Sequence, residues 1–145
     1  MKIRSKFNYY IDGLARWLSK VNDEVYLCWL QMDYDHLSTI VKACRKVRRL
    51  IIYCCTIKPT GTLDFGIQQP YSIQFLSFGF SGKIEYSNWS TNGQDFDDIV
   101  KAVNASGLQK SIDTLDLHEC GVDTSKVTVG KAKITEMGVI HPMGK

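Results

Sequence analysis

Val47-Arg-Arg-Leu50-Ile-Ile52-Tyr-Cys-Cys55-Thr-Ile57 and Ile112-Asp-Thr-Leu115-Asp-Leu117-His-Glu-Cys120-Gly-Val122 share one pattern: apolar-x-x-apolar-x-apolar-x-x-Cys-x-apolar. Alternation about the two central apolar positions marks a short strand with one buried face. Weaker copies stand at Ile73-Gln-Phe-Leu76-Ser-Phe78-Gly-Phe-Ser81, with serine in the cysteine slot, and at Val25-Tyr-Leu27-Cys-Trp-Leu30-Gln-Met32, with leucine there. A terminal copy is read at Ile134-Thr-Glu-Met137-Gly-Val139. Taking the second strand position as marker (Leu27, Ile52, Phe78, Leu117, Val139), the steps are 25, 26, 39 and 22 residues. Self-similarity of this period predicts a stack of supersecondary units that share one core.

The segments between strands carry helix signals. Leu37, Ile40, Val41 and Cys44 fall at i, i+3, i+4, i+7, as do Phe96, Ile99, Val100 and Val103, the spacing of an amphipathic helix. Aligning these helices shows that the long third step is one ordinary turn with 14 extra residues. They form a loop around Gly82 to Gly93 and an extension around Asn104 to Ser111. Between Ile57 and Ile73, Pro59, Gly61, Gly66 and Pro70 exclude a long helix, so an irregular or short helical crossover is expected. Before the first strand, Phe7, Ile11, Leu14, Leu18 and Val21 step by 4, 3, 4, 3 behind a candidate N-cap, Ser5, which predicts a helix capping the open end of the core.

With these repeats the chain resembles leucine-rich-repeat proteins, in particular the ribonuclease-inhibitor-like and cysteine-containing subclasses. The resemblance covers about residues 24 to 140, and three of the four steps lie in or near the family window of about 20–29 residues. It implies an α/β fold: a right-handed solenoid of short parallel strands with irregular repeats, the cysteine slot packed beneath each turn. The expected organisation is a single domain over residues 1–145, with a capping helix at 1–22, repeats at 23–140 and a tail at 141–145. His141-Pro-Met-Gly-Lys has no clear polar cap, which leaves a longer array open.

Composition narrows the function classes. The 145 residues are 44% hydrophobic and 23% charged, with a net charge of +3, an excess too small to argue for a nucleic-acid or membrane surface. No apolar run approaches the roughly 20 residues of a membrane span. Lys2, Arg4, Lys6 and Arg16 give the N-terminus a faint likeness to an organelle-targeting helix, for which the capping role is the preferred reading. Five cysteines without paired CxxC knuckles suit a reducing intracellular compartment, the cytoplasm first and the mitochondrion second. Two glycosylation triplets, at Asn88 and Asn104, carry no weight without a secretory signal.

In each strand the residues between the core positions define the opposite, open face. Its central row is Tyr26, Ile51, Ser77 and Asp116. The row before the first core position is Glu24, Arg49, Phe75 and Thr114, and the rows after the second are Cys28, Tyr53, Gly79 and His118, then Trp29, Cys54, Phe80 and Glu119. Parallel stacking sets Glu24 beside Arg49. Aromatic area with a nearby arginine is what protein-interface hot spots favour, so Tyr26, Trp29, Arg49, Tyr53, Phe75, Phe80, Asp116 and His118 are the candidate partner-binding residues. The competing reading has the 82–93 insertion, with Tyr86 and Trp89, folded over the sheet.

Chemistry is not expected. Asp116, His118 and Cys120 alternate along one strand, but the pattern sends Cys120 inward and His118 outward, away from a nucleophile–base pair. His36 and His141 have no second ligand at metal spacing and read as solvated. Cys55 goes inward and Cys54 outward, against a redox pair. No catalytic, metal or cofactor residue is therefore assigned. The basic run Arg45, Lys46, Arg48 and Arg49 is the alternative, a nucleic-acid adaptor surface; against it, Arg45 and Lys46 complement a helix end. The expected function is a non-enzymatic scaffold or adaptor binding a protein or peptide partner, or an assembly subunit of a larger complex. Members of the resembled family also serve as recognition arms of ubiquitin ligases and as assembly factors of mitochondrial membrane complexes.

Overall fold

The structure, a computed structural model, describes residues 7–28, 30–53, 55–79, 93–118, 120 and 123–136, with side chains left aside at 7–10, 56 and 93–96. Helix α1 (Phe7–Leu18) leads into strand β1 (Glu24–Cys28), strand β2 (Gln31–Asp33) and helix α2 (Tyr34–Ala43). Strands β3 (Arg49–Tyr53), β4 (Thr56–Lys58) and β5 (Phe75–Gly79) follow, then helices α3 (Gly93–Asn104) and α4 (Leu108–Ser111), strand β6 (Thr114–His118), a single 3-10 turn at Thr124–Lys126, and strand β7 (Lys133–Thr135). This is a mixed α/β protein whose five-stranded sheet, ordered β1-β3-β5-β6-β7, is parallel throughout and open.

The repeat sets the register. Val25, Leu50, Leu76 and Leu115 pair laterally along one row, and Leu27, Ile52, Phe78 and Leu117 along the next. Both rows face the core, with no member more than 9% exposed. Beyond them Met32 pairs with Ile57 in a second sheet of β2 and β4. Leu37, Ile40 and Val41 of α2 and Ile99 and Val103 of α3 join the strand residues in one apolar core. β5 and β6 are neighbours in the sheet, so the long step is a single crossover. Its 104–111 extension forms the short helix α4, and the 82–92 part of its loop lies outside the described residues.

The cysteine slot has a physical basis. Cys55 and Cys120 are buried, and each thiol points at the carbonyl of a preceding strand's core residue: Cys55 Sγ at Leu27 O, 3.7 Å, and Cys120 Sγ at Phe78 O, 3.3 Å. Each also lies near its own strand's carbonyl, Tyr53 O and His118 O. One weak donor thus lies within reach of carbonyls on two adjacent strands.

The crossover from β4 to β5 has no helix, as proline and glycine require. Its polar backbone is instead satisfied by α2: Thr62 N donates to the Asp35 carboxylate, Asp64 N donates to Ser38 Oγ, and the Ser38 hydroxyl donates to Thr62 O. Phe65, 1% exposed, fills the core where a helix would have packed. Gly66 follows at φ +85°, a left-handed turn open to glycine.

Two readings need correction. His36 is not a solvated histidine: its Nδ1 accepts from Asp33 N while Asp33 Oδ1 accepts from His36 N, a reciprocal cap on α2. In the last turn, Ile134 and not Met137 stands beside Leu115. The short 3-10 turn and Gly130, at φ +51°, bring the chain back to the sheet early, with Val129 buried on the way. Met137 and Val139 lie outside the described residues, as do Ser5 and His141. α1 ends at Leu18, and Ile11, Leu14, Ala15 and Val21 pack against the core beside it.

Candidate interaction face of the parallel sheet

Strand alternation places three rows on the face opposite the core, in the expected lateral order. In the first, Arg49 Nε donates to Glu24 Oε2 at 2.9 Å, with the two side chains 42% and 40% exposed. At that exposure the pair contributes about 0.2–1 kcal/mol. The same guanidinium lies 4.3 Å from the ring centroid of Phe75, on the next strand, so Arg49 is held from both sides by a carboxylate and a π face.

The third row is organised by its glycine. Tyr53 on β3 and His118 on β6 lie two strands apart, yet their rings stack with centroids 5.9 Å apart and planes 9° from parallel. Two strand spacings amount to roughly 10 Å, so the rings must lean toward each other over the strand between. Gly79 occupies that strand's position, and a Cβ there would fall 2.2 Å from the Tyr53 ring. Glycine is required for its missing side chain rather than for its backbone freedom. Tyr26 extends the aromatic group, its ring 6.4 Å from that of Tyr53. His118 Nδ1 also lies 3.1 Å from Glu136 O.

The central row departs from expectation. Ile51, Ser77 and Asp116 were read as exposed and are buried, Asp116 at 1% exposure. Short side chains here stand between taller rows: Arg49 and Phe75 on one side, the Tyr53–His118 stack on the other. Asp116 is therefore a buried polar centre and not a contact residue. Ser77 Oγ donates to its Oδ2 at 3.1 Å, and Thr135 Oγ1 donates to Oδ1, linking β5, β6 and β7. Asp116→Ala is expected to cost about 1–3 kcal/mol, because the fully buried Ser77 hydroxyl loses its acceptor. Urea unfolding measures this, and a loss no larger than that of an exposed control such as Asp113→Ala would contradict it.

Of the other candidates, Tyr26, Arg49, Tyr53, Phe75 and His118 are half-buried on this face. Trp29 and Phe80 lie outside the described residues, as do Cys54, Glu119 and the 82–92 part of the insertion. The ring stack and the hydroxyl–carboxylate chain were missed in the sequence; a glycine inside a strand was the available signal for the first. The basic run is divided by the fold: Arg49 joins the sheet face, Val47 is buried, and Arg45 lies beyond the α2 C-cap, Cys44. Among the described residues no three His, Cys, Asp or Glu side chains gather to hold a metal ion, and no helix is long and apolar enough to cross a membrane. Compared with protein-family models, curated proteins and solved structures, the chain matches none.

Proposed function

We propose that this chain is a leucine-rich-repeat solenoid that works as a non-enzymatic docking module, gripping a protein or peptide partner on the face of its parallel sheet. The observation that carries the reading is the partly exposed arrangement of Glu24, Arg49 and Phe75 beside Tyr26, Tyr53 and His118, spread over four adjacent strands. Aromatic rings and an arginine already locked in place lose little freedom on binding, and extended sheet faces are where repeat folds bind. The strand register, the cysteine slots and the step lengths support the solenoid assignment.

Affinity capture from the native source with the double variant Tyr26→Asp/Arg49→Glu tests it. The variant is expected to lose the partner held by the wild-type chain by tenfold or more, about 1.4 kcal/mol, while its circular dichroism is unchanged. Retention of the same partner at the same level would refute the sheet-face reading.

A further inference from the structure

Helix α1 turns Ile11, Leu14, Ala15 and Leu18 toward the core and leaves an opposite stripe of Asp12, Gly13, Arg16 and Trp17 exposed. Two features of that stripe have no use within the chain itself. Trp17 is 64% exposed, whereas among the described residues Ile67 is the only other large apolar side chain left so open. Gly13 sits inside the helix without a positive φ, and a Cβ there would meet nothing within 4 Å among the described residues. Glycine inside a helix costs roughly 0.5–1 kcal/mol relative to alanine, and neither backbone nor packing in this fold requires it. Gly13 and Trp17 stand one turn apart, so a bare position and a bulky ring share one flank of the helix. Asp12 and Arg16, also one turn apart, form the adjoining row, and among the described residues neither has an ion-pair partner.

We propose that this stripe binds α1 of a second copy of the chain, the two helices antiparallel, with Trp17 of each seated on Gly13 of the other and Asp12 of each paired with Arg16 of the other. A two-fold contact requires a patch that fits itself. An antiparallel two-fold lays each row against its own reversed copy, which brings 13 opposite 17 and 12 opposite 16. The midpoints of the two rows, Ala15 and Leu14, differ by one residue, about 1.5 Å along the axis, well within the reach of an arginine. The stripe is thus complementary to itself in both shape and charge, and charge complementarity selects the partner. A lipid surface would instead have to accept the Asp12 carboxylate beside the indole. The helix has 12 residues, about 18 Å of length, so the contact falls short of the roughly 1,200 Å² of a stable interface and the dimer is weak and concentration-dependent. This surface is independent of the sheet face.

The test is sedimentation velocity on the full chain from about 10 µM to about 1 mM, the range of a small, transient interface. The wild type is expected to move toward twice the chain mass as concentration rises. Gly13→Gln fills the seat of the indole and should weaken dimers at least tenfold without lowering the thermal unfolding midpoint, since glutamine is the better helix former. Trp17→Ser should weaken them equally. Asp12→Arg and Arg16→Asp should each fail to dimerise alone, yet form a mixed dimer when combined, because one copy then carries two cations and the other two carboxylates. A wild type that stays monomeric at the highest concentration overturns the proposal, and if it binds anionic phosphatidylserine vesicles through Trp17 the face belongs to a lipid surface. Dimers undiminished in Gly13→Gln and Trp17→Ser, or a mixture of the two charge variants that stays monomeric, would overturn it as well.

Discussion

Phe78→Ala is expected to destabilise the protein by about 3–5 kcal/mol, the cost of deleting a fully buried aromatic side chain and leaving a cavity. Phe78 is 0% exposed and sits on the middle strand of the sheet, with Ile52 and Leu117 as its lateral neighbours. Its backbone carbonyl faces the Cys120 thiol, so a shift of β5 into the cavity would also disturb the slot of the next turn. At about 2–4 °C per kcal/mol for a domain near this size, the midpoint of thermal unfolding should fall by roughly 10 °C. Phe78→Leu should recover most of that loss, since leucine fills the same row in β1 and β6. If Phe78→Ala unfolded within about 0.5 kcal/mol of the wild type, the range of an ordinary surface change, Phe78 could not be a core residue and the strand register would be wrong.

The core row of Leu27, Ile52, Phe78 and Leu117 was legible because burial on one side of a strand leaves a period of two in the sequence, and four strands carried it in the same phase. Lateral partners such as Leu27 with Ile52 follow once strands stack in parallel, and so does the Glu24–Arg49 pair. Exposure on the other face was not legible, because period alone cannot say how tall the neighbouring side chains are. Ser77 and Asp116 alternate as open-face residues should, yet Phe75, Arg49, Tyr53 and His118 rise around them. The last strand was misplaced because Ile134 satisfies two positions of the pattern equally well, and only the length of the crossover before it decides between them. Likewise, the proline- and glycine-rich segment was readable as non-helical, but its hydrogen bonds to Asp35 and Ser38 depend on a helix more than twenty residues earlier. Of the interaction face, the composition was therefore readable in advance, whereas the ring stack over Gly79 depends on three-dimensional reach.

Raising the pH is expected to unfold this protein through groups in its core. Cys44 is 0% exposed, and burial pushes its thiol from 9.0 up to about 12. Tyr71, whose hydroxyl donates to Phe65 O at 2.6 Å, is raised well above the ordinary phenol range, first by burial, then by the charge of Asp64, then by Cys44. Both are acids that keep their protons longer in the folded state than in the unfolded chain. Above pH 9 the unfolded chain therefore binds fewer protons than the native state, and stability falls as pH rises. Cys44 alone gives a slope of about 1.4 kcal/mol per pH unit, or roughly 4 kcal/mol if the whole window between pH 9 and 12 is traversed. Below pH 9 its contribution is fully present. The measurement is a difference: urea unfolding of wild type and Cys44→Ala at several pH values between 8 and 12. The variant starts lower, having lost a buried sulfur, but its stability should decline less steeply. Parallel curves would show that the thiol ionises equally easily in both states, which a fully buried Cys44 at the C-terminal end of α2 does not allow. The same burial predicts that Cys44 resists thiol reagents in the folded protein and reacts only at the rate of unfolding.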